Sequence, residues 1–257
     1  MPPDLTAPER VSILGLPLDL VDLTSTVNIL KTWVRDPSSK RTVITLNPEI
    51  VVQSEQFKTL ETTIRNADLI TADGVGIVWA AKRSGYHIPG RATGVDIIRE
   101  LMQSQGSSLR VFFLGAAPGV AQRAAEASQK EFGIQIAGVH DGKWGYEWNP
   151  EDASTEKVAA EIARAIRESR ADLLLTALGS TPTYPTKQEI FNERFRPARV
   201  SIGIGGALNV LSGEVELAPD WTRKLGIEWV WRITTMGRWA RAWRLLEFVG
   251  RVLTAKR

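Results

Sequence analysis

An α/β fold, built on a mostly parallel sheet flanked by helices and followed by a C-terminal helical appendage, is the architecture this sequence predicts. Two observations lead there. Short apolar runs rich in β-branched residues alternate with longer segments of helical period, the pattern of a parallel sheet covered by helices on both faces. Composition and charge also change abruptly near Ala218-Pro219-Asp220, which sets a core of residues 1–218 apart from a basic, tryptophan-rich end at 219–257.

Strands are expected near 11–15, 42–46, 68–71, 110–114, 134–138, 172–178 and 199–204. After RTVITLN, Pro48 stands where a first helical turn accepts proline. Ile50, Phe57, Leu60 and Ile64 then recur at helical spacing, so one helix is expected from Pro48 to about Asn66. ADLITADG returns the chain as a strand. A strand–helix–strand unit of this size puts Thr45, Asn47, Asp73 and Gly74 at the C-terminal edge of a parallel sheet, where open α/β sheets bind ligands. A second unit starts at RVFFLGAAPGVAQ, where the turn from Gly115 to Gly119 is either an anion-binding turn at a helix N-terminus or an ordinary strand-to-helix connection. It lacks the GxGxxG spacing of dinucleotide folds. Gly203, Gly205 and Gly206 allow close approach of a ligand or of a packed helix. In the appendage, Trp239, Trp243, Leu246 and Leu253 fall on one helical face, with Arg241, Arg244 and Arg251 roughly opposite. Such a helix either packs on the core with its basic face in solvent or lies in a membrane interface.

The 257 residues include no cysteine and two histidines, His87 and His140. Disulfides, thiolate nucleophiles, cysteine-ligated metals and a three-histidine zinc centre are therefore excluded. The N-terminal stretch carries two acids before residue 10 and no apolar core, unlike a secretory signal, and no apolar run approaches the roughly 20 residues of a membrane span. A cytosolic protein is expected. From Arg223 to Arg257, nine basic residues stand against two acidic ones, a net +7 in a chain whose total is +3, so the rest is mildly acidic. Five of the nine tryptophans lie in or beside that end. A polyanion or an anionic membrane surface is the partner this asymmetry suggests.

Asp73, at a strand end and followed by glycine, is the best candidate for a general base, although aspartates at such turns also cap helices. Arg91 in PGRATGVD is a clamp for phosphate or carboxylate or a solvated surface residue, and Thr93, Gly94 and Asp96 adjoin it. In TPTYPTKQEIF, Gln188 either hydrogen-bonds a sugar hydroxyl or lies on an exposed helix surface.

The order of these motifs is more specific than any one of them. TLNPE, ADLITADGVGIVWAAKRSG, RATGVDII, FFLGAAPGVAQRAAE, KQEIF, IGIGGALNVLSGEVELAPDW and LGIEWVWRI follow one another in a series that resembles the WecG/TagA/CpsF family of bacterial glycosyltransferases, from about Val11 to Arg244. The resemblance implies a Rossmann-like core and an inverting, metal-independent enzyme. It would move a sugar such as N-acetylmannosamine or its uronic acid from a UDP-sugar to a polyprenyl-diphosphate-linked saccharide at the cytoplasmic membrane face, for cell-surface polysaccharide. It further implies that Thr45 and Asn47 lie beside the sugars, that Asp73 is the base, and that Arg91, Gln188 and Arg232 bind substrate, with Arg238 and Arg241 as appendage arginines. The glycines of the two turns, Gly115 and Gly205, are expected beside the donor diphosphate. Gly90 stands where the family has a glutamate, the loop before Gln188 is lengthened, Leu217 replaces an arginine, and Met236-Gly237 replaces a Glu-Pro pair.

Under this reading the partners are a UDP-sugar, the lipid-linked acceptor and an anionic membrane, with no cofactor, metal or nucleic acid and with self-association open. Two rivals use the same features. A nicotinamide-dependent dehydrogenase shares the doubly wound sheet, and a nucleic-acid-binding module would use the basic tail.

Overall fold

The computed structural model describes residues 8–142, 153–178, 196–219, 221–222 and 239–255. Six parallel strands form the central sheet: β3 (Arg41–Leu46), β4 (Leu69–Ala72), β5 (Arg110–Gly115), β6 (Gln135–His140), β7 (Leu173–Ala177) and β8 (Val200–Gly203). Their order is β4-β3-β8-β7-β5-β6. All six coincide with expected strands to within two residues at either end.

The strand expected at 11–15 has a different place. β1 (Arg10–Ile13) turns back into β2 (Leu16–Asp19) as an antiparallel hairpin outside the parallel sheet. Leu14 and Gly15 both take positive φ in its two-residue loop, the handedness that matches strand twist. This hairpin protects the open side of the edge strand β4. Asp19, 1% exposed, accepts the Ile70 N–H at 2.7 Å and is held by Arg10 at 2.7 Å.

Helices cover both faces. On one lie α1 (Leu23–Arg35), α5 (Gly94–Gln105), α6 (Val120–Phe132) and the short α8 (Ala207–Leu211), packed on Val43, Val111, Phe113, Leu173, Leu175, Val200 and Ile202. On the other, α2 (Pro48–Gln56), α3 (Lys58–Arg65), α4 (Val75–Arg83) and the C-terminal α9 (Trp239–Thr254) pack with the hairpin on Ile44, Leu46 and Ile70. Farther along that face, α7 (Ala153–Glu168) packs on Phe112, Leu114 and Leu174. Successive strand residues thus enter opposite cores, which is why the strands read as continuous apolar runs.

The single helix expected from Pro48 to Asn66 is two. Phe57 takes φ −128° and ψ 101°, ending α2 and starting α3. The break lets α3 turn onto β2 while α2 receives α9.

Charge pairs gather at the N-terminal edge of the sheet. Asp172 accepts from the Arg110 N–H at 3.0 Å and pairs with Arg110 and Arg199, while Asp68 pairs with Arg41 at 2.8 Å. These bonds fix where β5, β7, β8 and β3 begin.

At the start of α1, Asp22 caps the helix by accepting the Ser25 N–H at 2.7 Å, and this bond holds its carboxyl below the usual range. A depressed pKa contributes stability above the unfolded value, about 3.9, that is lost as pH falls through the folded one. Asp22→Ala is therefore expected to cost about 1 kcal/mol at pH 7. Urea titrations of both proteins should show that gap closing below about pH 4.

Candidate active site

The C-terminal edges of β3, β4 and β8 carry five of the expected residues, Thr45, Asn47, Asp73, Arg91 and Gly205. The Asp73 N–H donates to the carbonyl of Leu46, the last residue of β3, at 2.8 Å. Asp73 is half-buried, and Gly74 after it, at φ +101°, makes the turn into α4 in a conformation that favours glycine. Asn47 follows β3 directly. Its side-chain oxygen accepts the Ile50 N–H at 3.0 Å, capping α2 with Pro48 in the first turn.

Thr45 is 5% exposed, and its hydroxyl donates to the Gly203 carbonyl at 3.3 Å. It faces the start of α5, where a β-carbon on Gly94 would lie 3.6 Å from its Oγ1. Thr45 thus ties β3 to β8 beneath the edge.

Arg91 enters from the segment before α5. The Ala92 N–H donates to the Ala72 carbonyl at 3.0 Å, so Arg91 and Asp73 each lie one residue beyond a shared bond. Arg91 is half-buried. Thr93 caps α5, donating to Asp96 at 2.7 Å and accepting the Asp96 N–H at 3.3 Å. A β-carbon at Gly90 would come within 3.2 Å of the Asp22 β-carbon. A side chain at this position would therefore need Asp22, before α1, to give by a few tenths of an ångström.

The two glycine turns differ. Gly115, at φ +100°, presses against β7, where a β-carbon would meet the Ala177 carbonyl at 2.6 Å, so packing alone dictates glycine there. The turn continues through Ala116 and Gly119, both at positive φ, into α6, and Arg123 on α6 pairs with Glu214. Gly205, at φ +46°, has open space where a side chain would stand, beside the turn from β8 to α8.

Gln188, Arg232 and Arg238 lie outside the described residues, as does the side chain of Arg241 at the start of α9. Among the described residues no three histidine, aspartate or glutamate side chains are grouped to hold a metal ion. No helix among them is long and apolar enough to cross a membrane.

The appendage helix does have two faces, but the packed one is the reverse of what a solvated basic face requires. Phe248 and Val252 are buried in the core, while Arg244 pairs with Glu49 and Arg251 with Glu55, both on α2. Trp243, Leu246 and Leu253 point outward, 73%, 64% and 53% exposed. The arginines turn inward because α2 supplies carboxylates to neutralise them. At the other end Arg83 of α4 donates to the Val252 carbonyl at 2.9 Å and the Leu253 carbonyl at 3.1 Å. Phe248 also approaches Gly76, 3.4 Å from where its β-carbon would be. The helix therefore braces the first turns of α2 and α4, beside Asn47 and Asp73. The sequence reading missed Glu49 and Asp22; an acid in a first turn and an aspartate before an apolar period were the signals.

Residues 11–257 match the model of the glycosyl transferase WecG/TagA/CpsF family. Three curated relatives bear the name N-acetylglucosaminyldiphosphoundecaprenol N-acetyl-beta-D-mannosaminyltransferase. The one from Bacillus spizizenii is 34% identical over 93% of this chain and 90% of its own. Those from Bacillus subtilis and Staphylococcus aureus are 30% and 29% identical, covering 94% and 96% of this chain and 90% and 94% of theirs.

Proposed function

Because the chain belongs to the WecG/TagA/CpsF family of glycosyl transferases, we propose that it moves N-acetylmannosamine or a related sugar from a UDP-sugar to a polyprenyl-diphosphate-linked saccharide. The observation that supports this most is the convergence of Asp73, Asn47 and Arg91 at the ends of β3 and β4, through the Asp73–Leu46 and Ala92–Ala72 main-chain bonds. The acceptor named for the relatives, an N-acetylglucosaminyl-diphosphoundecaprenol, is the one we adopt.

In this reading the Asp73 carboxylate takes the proton of the acceptor hydroxyl. The hydroxyl oxygen bonds to the anomeric carbon from the face opposite the leaving group, the carbon–oxygen bond to UDP breaks with its electron pair, and the configuration inverts. Arg91 and the main-chain donors of the Gly115–Gly119 and Gly205 turns stabilise the charge growing on UDP, and no metal is required. Thr45 and Asn47 shape the wall beside the sugars, and Gln188 meets a sugar hydroxyl. Arg232, Arg238 and Arg241 pair with the acceptor diphosphate.

The enzyme works at the inner face of the cell membrane, with the outward stripe of α9 in the interface. An apolar stripe on the solvent side of a docked helix supports this placement, since large exposed apolar patches mark interaction surfaces.

Purified protein supplied with UDP-N-acetylmannosamine and a short-chain prenyl-diphosphate N-acetylglucosamine is expected to release UDP and form a disaccharide. The rate in EDTA should stay within about twofold of that without it, because general-base and cationic groups supply the catalysis. A screen in which no UDP-sugar yields product overturns the proposal; a rate abolished by EDTA and restored by a divalent ion overturns its metal-free mechanism.

A further inference from the structure

Thr71 is the only polar side chain of β4, and it is fully buried. A buried hydroxyl is costly unless bonded, and valine fits the same strand position without that demand. The Thr71 hydroxyl donates to the Ala92 carbonyl at 3.0 Å. With the Ala92 N–H on the Ala72 carbonyl at 3.0 Å, both main-chain polar groups of Ala92 are held by successive residues of β4. Ala92 is itself fully buried, so water cannot take over either bond.

The two bonds form a clamp between two chain segments. On the β4 side the next residue is Asp73; on the other the preceding residue is Arg91. Asp73 is fixed further by its N–H on Leu46, and the far end of the 91–93 segment by the Thr93 cap. Thr71 thus supplies a side-chain hydrogen bond that ties the arginine's segment to the aspartate's strand.

We propose that Thr71 is a positioning residue for sugar transfer, setting the separation of Asp73 and Arg91 by holding Ala92; this rests on the assignment of those two residues above. Without the hydroxyl, the Ala92 carbonyl is buried with one bond fewer and the segment relaxes. A displacement of about 1 Å at a reacting group can lower a rate on the order of 100-fold.

The test is turnover of Thr71→Val and Thr71→Ser, each assayed well below its own melting temperature. Thr71→Val is expected to lower kcat about 10–100-fold while KM for the donor stays within about threefold, the signature of an interaction that matters in the transition state. Thr71→Ser, which keeps the hydroxyl, should restore kcat to within about threefold. If the valine variant does not fold, Thr71→Ser against Thr71→Ala isolates the hydroxyl at equal loss of the methyl group. A valine or alanine variant with a lower melting temperature but wild-type kcat overturns the proposal. Asp73→Asn is run in parallel. Full turnover in that variant overturns the base assignment and the clamp with it, whereas a dead Asp73→Asn beside a fully active Thr71→Val overturns the clamp alone.

Discussion

Asp73→Asn is expected to reduce turnover at least roughly 100-fold, because an amide of the same shape cannot accept the acceptor's proton. The substitution is suited to the question because the Asp73 bond placed above is made by the main chain. Its N–H donates to Leu46 and is retained in asparagine. Gly74, not Asp73, is the N-cap residue of α4, and that helix has no side-chain cap. The melting temperature of the variant, measured beside that of the unaltered protein, separates a loss of fold from a loss of chemistry, and UDP affinity should stay within about threefold, since a base that acts in the transition state contributes little to ground-state binding. Turnover measured by UDP release, beside a UDP titration of the same preparation, separates lost chemistry from lost binding. Near-normal turnover would remove Asp73 from the role and leave Arg91 and the glycine turns as a binding site without an identified base.

The parallel sheet was legible because every strand but the edge strand β6 is buried on both faces, so Thr42–Leu46, Leu69–Ala72 and Leu173–Ala177 stand out as apolar runs between polar helical segments. That same feature placed Thr45, Asn47 and Asp73 at one edge, since consecutive parallel strands must end on the same side. The break at Phe57 was not legible. Ile50 and Phe57 are partly buried and Leu60 and Ile64 fully buried against one cluster, so the apolar period runs on where the helix does not. β2 went unread because its partner is the neighbouring β1, and its apolar residues are as few as those of a loop.

The family assignment sets aside the dehydrogenase and the nucleic-acid module, but it does not explain local departures such as Gly90. That position depends on Asp22, 68 residues earlier in the chain, whose β-carbon leaves 3.2 Å for a side chain. Gly115 was read as a possible anion-binding turn, yet the Ala177 backbone already accounts for glycine there. A glycine in sequence announces close approach without saying what approaches.

Amphipathicity shows similar ambiguity in α9: the pattern separates two faces but does not say which is turned inward. That is decided by Glu49 and Glu55 on α2, about 200 residues away. Their consequence is that deleting the tail would be a poor test of membrane binding, because Phe248 and Val252 are core residues and their removal would open the faces of α2 and α4. Replacing Trp243, Leu246 and Leu253 together by glutamate alters only the outward stripe. Inserting these partly exposed side chains into an interface is worth about 1 kcal/mol each, so about 3 kcal/mol, or roughly 100-fold in partitioning, should be lost. Arg244 and Arg251 are paired with α2 and add little electrostatic attraction, so under the proposed placement the loss falls mainly on the stripe. Sedimentation with anionic vesicles should show that loss, and transfer to a long-chain acceptor in those vesicles should fall with it. Turnover with a short-chain acceptor in solution should stay within about threefold, because the docked face and the edge bearing Asp73 are untouched. A triple variant that sediments like the unaltered protein would mean that this stripe faces something other than lipid.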